Sequence, residues 1–89
     1  MPTIHLLIKG KVQGVNYRAA AKDRATSLAL TGWVKNTAEG YVEAGVTGDN
    51  EAIQQFIEWC RHGPPAAVVT DVEVMPMPDI NFPAFFIVR

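Results

Sequence analysis

The chain has 89 residues, 48% of them hydrophobic and 19% charged, with a formal net charge of −1 at pH 7. That length holds one domain, residues 1–89, around one modest core, and the composition is that of a folded protein rather than a disordered one. The near-neutral balance argues against nucleic acid or an anionic membrane as a partner, since no global field would draw either.

At the N-terminus there is no basic segment leading into a long apolar stretch, and no apolar run anywhere approaches the roughly 20 residues of a membrane helix. Thr3 to Lys9 alternates instead, with Ile4, Leu6 and Ile8 on one face and His5, Leu7 and Lys9 on the other, which predicts a strand. A polar stretch follows between Gly10 and Gly14. Tyr17, Ala21, Ala25 and Leu28 then recur at helical spacing in an alanine-rich segment. Gly32 to Asn36 reads as a short strand, Thr37 to Gly40 as a turn, and Tyr41 to Thr47 as the returning strand with Val42, Ala44 and Val46 inward. Gly48-Asp49 opens a second helix with Asp49 as N-cap, and Ile53, Phe56, Ile57 and Cys60 form its apolar stripe. Gly63-Pro64 ends it. Val68, Thr70, Val72 and Val74 alternate as another strand, and Phe85 to Arg89 forms a short last one. Met75-Pro76-Met77-Pro78, between them, reads as a loop that limits edge pairing.

The order is β-α-β-β-α-β with an extra C-terminal strand. It is the split βαβ of a ferredoxin-like α+β fold: an antiparallel sheet with both helices on one face. This fold hosts many functions, so chemistry must be read from particular residues.

Five of the eight basic residues lie between Lys9 and Arg24, opposed there only by Asp23. The lysines suit a solvated face. Arg18 differs, because it stands in the first turn of a helix just after the loop Lys11 to Asn16. Backbone N–H groups converging at such a point bind anions, and a guanidinium fork matches phosphate oxygens. Asn36, by residue type alone, is a turn residue.

Other chemistries fit poorly. Ser27 is the only serine and sits mid-helix, away from both histidines, which disfavours a serine nucleophile. His5, His62 and Cys60 lack metal-ligand spacing, so no metal site is expected. Cys60 is the only cysteine, so no internal disulfide can form, and a reducing, cytoplasmic setting is the natural reading.

Two segments carry a more specific signal. Gly10-Lys11-Val12-Gln13-Gly14-Val15-Asn16-Tyr17-Arg18 resembles the acylphosphatase loop signature G-x-V-Q-G-V-x-[FY]-R, and Gly32-Trp33-Val34-Lys35-Asn36 resembles that family's second signature, G-W-V-x-N. The resemblance runs the length of the chain. It implies hydrolysis of the carboxyl–phosphate bond of acyl phosphates to carboxylate and inorganic phosphate. Arg18 would then bind the phosphate together with the loop Gln13, Gly14, Val15, Asn16 and Tyr17, while Asn36 positions the attacking water. A phosphate oxygen of the substrate takes the proton, and neither metal nor organic cofactor is implied. Ala29 departs from the pattern by standing where the family often has glycine.

Three other readings fit the residues less well. A binding module without turnover would have no need of Asn36, a domain of a larger carbamoyl-transfer assembly would be expected inside a longer chain, and a nucleic-acid module would need more positive charge. A free-standing monomer is the default. The short loop offers little visible pocket for selecting an acyl group.

Overall fold

The computed structural model describes residues 1–89. β1 (Thr3–Lys11) carries the predicted alternation, with Leu6 and Ile8 fully buried. α1 (Tyr17–Ser27) buries Tyr17, Ala21 and Ala25. β2 (Thr31–Asn36) and β3 (Val42–Thr47) form the hairpin, and Val42, Ala44 and Val46 point into the core as expected. α2 (Asn50–Cys60) buries Ile53, Phe56, Ile57 and Cys60. Asp49 is its N-cap residue, but the side chain makes no capping hydrogen bond. β4 (Val68–Met77) and β5 (Phe85–Val88) complete the chain. No helix is long and apolar enough to cross a membrane.

The strand order is β4-β1-β3-β2-β5, with both helices contributing to one core cluster against the same face of the sheet. Register decides which side chains reach that face. Leu6 pairs with Ala44, and Ala44 with Val34; one step along, Ile8 pairs with Val42, and Val42 with Asn36. Side chains two apart share a face. Asn36 therefore ends an inward row, in the place where the same strand earlier carries the fully buried Val34. This is not the placement of an ordinary turn asparagine.

The four strands of the split βαβ are antiparallel, whereas the extra strand β5 runs parallel to β2, so the sheet is mixed. The reason lies in the path of residues 78–84. β4 finishes at the end of the sheet where Met77 faces Thr3, Thr3 faces Thr47 and Thr47 faces Thr31. The chain crosses along that end and enters β5 beside the start of β2. Two threonines hold the crossing in place. The Thr3 and Thr47 hydroxyls lie 2.6 Å apart. Thr47 Oγ1 donates to Ile80 O at 2.7 Å, and Ile80 N donates to Thr3 Oγ1 at 2.9 Å. The consequence appears at the far end of β5, where Val88 pairs with Lys35 and Arg89 follows beside Asn36.

The expectation of a loop at Met75-Pro76-Met77 is corrected: these residues belong to β4, with Pro76 opposite Ile4. β4 is an edge strand with β1 as its only neighbour. A proline is tolerated there because no second neighbour needs its missing N–H.

α1 ends in a Schellman motif. Leu30 N donates to Ala25 O at 2.9 Å and Ala29 N to Thr26 O at 3.0 Å, with Ala29 at φ 58°. That geometry favours glycine, because a Cβ crowds the following carbonyl in the left-handed region. Ala29→Gly should therefore raise stability by roughly 0.5–1 kcal/mol, read as a shift in the denaturant midpoint at constant slope. A lower midpoint would show that the chain entropy gained on unfolding outweighs the relieved strain.

Candidate active site

The loop after β1 begins at a bulge. The β1–β4 register shifts between Lys9 and Gly10, and Gly10 adopts φ 124° with its α-carbon packed against the β4 backbone. A Cβ there would come within 2.1 Å of Val68 O, so only glycine fits. Val12 is buried and plugs the loop into the core. Gly14 (φ 72°) and Asn16 (φ 65°) are both left-handed, and Asn16 leads directly into α1. Asparagine is among the few non-glycine residues that accept this conformation readily.

These turns leave donors exposed. From Gly14 to Ala19 no backbone N–H finds an acceptor in the protein; the first bond of the helix is donated by Ala20 to Asn16 O, at 3.2 Å. A run of free N–H groups at a helix N-terminus, reinforced by the helix dipole, is an anion site. Arg18 projects from the same turn and makes no ion pair with any carboxylate of the chain.

Across a cleft of about 200 Å³ lies Asn36, with Gly14, Asn16, Tyr17 and Arg18 among the other lining residues. Asn36 Oδ1 is buried and has no hydrogen-bond donor in the protein. A buried acceptor left unpaired costs about 1–3 kcal/mol. Of the residues predicted to form the phosphate loop, Gln13 and Val15 do not line the cleft. Val15 packs against the core cluster.

Gln13 has a different task. Its Nε2 donates to Thr37 O at 2.8 Å and to Tyr41 O at 2.9 Å, on the turn that follows Asn36. The side chain thus ties the loop carrying the free donors to the hairpin carrying Asn36. Tyr17 fixes the other side of the loop. Its ring is buried and stacks obliquely on Trp59, and its hydroxyl donates to Cys60 O at 2.8 Å. That hydroxyl is held protonated by burial, far from any role as an acid or base.

Two further features were not visible in the sequence. Arg89 lines the cleft, brought there by the parallel pairing of β5. Gln13 gave no signal as a tether, because its acceptors are backbone carbonyls more than twenty residues away. Cys60 is fully buried and its thiol is pushed up to about 12, mainly by burial, so it is an inert core residue. No three His, Cys, Asp or Glu side chains gather where they would hold a metal ion.

This arrangement has relatives. The acylphosphatase family profile matches residues 4–87. An acylphosphatase of Methylococcus capsulatus is 48% identical over 77 residues, 86% of this chain and 84% of the relative. The structure of an acylphosphatase from Coxiella burnetii superimposes with a TM-score of 0.95 at 37% identity, over 98% of this chain and 92% of that one. The crystal structure of acylphosphatase from Bacillus subtilis does so with a TM-score of 0.95 at 34% identity, over 100% of each chain. The chain belongs to the acylphosphatase family.

The tether is open to a direct check. Gln13→Ala removes two donated hydrogen bonds and should cost about 1–2 kcal/mol of stability. It should also weaken the binding of inorganic phosphate, measured by calorimetry, because the loop loses its fixed distance to the hairpin. Lower stability with unchanged phosphate affinity would reduce Gln13 to a purely structural residue.

Proposed function

We propose that this protein hydrolyses acyl phosphates at phosphorus, with Arg18 and the loop amides holding the phosphoryl group and Asn36 holding the attacking water. The observation that carries this reading is the pairing, across one cleft, of a cation-bearing run of free N–H donors with a buried acceptor that has no donor. Donors on one wall suit a phosphoryl oxygen, while a lone acceptor on the other suits a water proton. Membership of the acylphosphatase family supports the same assignment.

The chemistry asks little more. An acyl phosphate is an anhydride whose carboxylate leaves readily, so positioning and charge stabilisation supply most of what is needed. The water held by Asn36 Oδ1 attacks phosphorus as the bond from phosphorus to the acyl oxygen breaks. The acyl group departs as carboxylate. The water proton passes to a phosphoryl oxygen, since neither arginine nor asparagine is a base at neutral pH. Charge developing on the equatorial oxygens falls on Arg18 and the N–H groups, already oriented and needing no rearrangement. In this reading no metal or organic cofactor takes part, and inorganic phosphate is the second product. The lone, buried Cys60 suits a reducing compartment such as the cytoplasm, and we assign a monomer that binds no nucleic acid.

The test is hydrolysis of benzoyl phosphate, with and without a chelator, by wild type and two variants. Wild-type turnover should survive the chelator. Asn36→Ala should fold at least as stably, having lost an unpaired buried acceptor, yet fall roughly 100-fold in kcat with KM nearly unchanged. Arg18→Lys should lose activity on the same order, because an ammonium lacks the two-pronged guanidinium geometry. Loss of binding with retained kcat in Asn36→Ala would overturn the water-positioning role. A well-folded but inactive wild type would overturn the hydrolase reading itself.

A further inference from the structure

A short loop in a small domain offers little to select the acyl group, but a second recess adjoins the cleft. A recess of about 570 Å³ continues from the cleft and is walled by Arg18, Lys35, Asn36, Val88 and Arg89. Three of these residues carry basic side chains and none carries an acidic one. The chain as a whole carries a net charge of −1, so this is a local concentration of positive charge rather than a general property.

A single phosphoryl group does not require it. Arg18 and the free N–H groups of the loop already face the phosphoryl position, which leaves Lys35 and Arg89 in excess. Lys35 is only partly committed. Its Nζ lies 3.5 Å from Glu43 Oε1 and 5.7 Å from the Trp33 ring centroid. Glu43 is shared as well, because its other oxygen accepts from His5 Nε2 at 2.6 Å. Arg89 has no ion-pair partner. The Val88–Lys35 pairing sets the two cations at the ends of neighbouring strands, beside the cleft mouth.

We propose that Lys35 and Arg89 form a subsite favouring acyl phosphates whose acyl group carries a second anionic group over those whose acyl group is neutral. The inference rests on the hydrolase reading above and adds the substrate class. Two exposed ion pairs of ordinary strength correspond to about a three- to tenfold preference in kcat/KM. Part of that preference would arise from steering, so it should shrink as salt screens the recess.

Butanoyl phosphate and succinyl phosphate make a matched pair, equal in carbon count and differing by a carboxylate. The quantity to measure is the ratio of their kcat/KM values, taken on one preparation so that any loss of folded protein cancels. Wild type should favour succinyl phosphate about three- to tenfold at low salt. The Lys35→Gln/Arg89→Gln double variant should bring the ratio near one, and Arg89→Lys alone should keep most of it. A wild-type ratio near one with good turnover of both substrates overturns the subsite and leaves the hydrolase reading intact. A preference that survives in the double variant also overturns it. Turnover of neither substrate by wild type would instead sink the hydrolase reading.

Discussion

Two hydrogen bonds made by one side chain link the two halves of the candidate site. Arg18 and the loop donors follow β1, while Asn36 ends β2, and β3 lies between those strands. No direct backbone pairing therefore fixes their separation. Gln13 supplies the connection by donating to Thr37 O and Tyr41 O, and so it clamps the loop to the hairpin turn. Tyr17 anchors the opposite flank through Trp59 and the carbonyl of Cys60. Between these anchors the loop is free to use left-handed residues and leave its amides unpaired, because its position no longer relies on them.

The rest of the fold serves the same geometry at longer range. Sheet register turns Asn36 inward at the end of a row that is otherwise apolar, at the edge of the cleft, where its Oδ1 meets no protein donor. The Thr3–Thr47–Ile80 cluster pins the crossing to β5 and so fixes where Arg89 arrives. A polar acceptor buried without a partner lowers stability, and beside it stands a basic group without a counterion. Their coincidence in one cleft is what an anion-processing site would require and what a purely structural core would avoid.

Most of the architecture was legible because period-2 and period-3.6 patterns are written in adjacent residues. Leu6 and Ile8, the Tyr17–Ala21–Ala25 stripe and the Ile53–Cys60 stripe all fell where periodicity put them. Arg18 could be singled out as a candidate for a similar reason, since a basic residue in the first turn of a helix after a glycine-bearing loop has a local meaning. Asn36 was not legible from residue type; its significance comes from a register shared with β1 and β3, and only the family motif singled it out beforehand. Pro76 was misleading, because proline disrupts central strands but is harmless on an edge, and edge position is a property of the whole sheet. Gln13 and Arg89 act across long sequence separations, through a carbonyl tether and a parallel pairing that local pattern does not encode.

The claim that loop and hairpin form a single phosphate site is tested most directly by following backbone and side-chain amide resonances during titration with inorganic phosphate. The account predicts saturable shifts concentrated on the amides of residues 14–19 and on the side-chain amide of Asn36, all fitting one dissociation constant. Shifts confined to another surface, such as the start of α2, or loop and Asn36 responses with different dissociation constants, would contradict it.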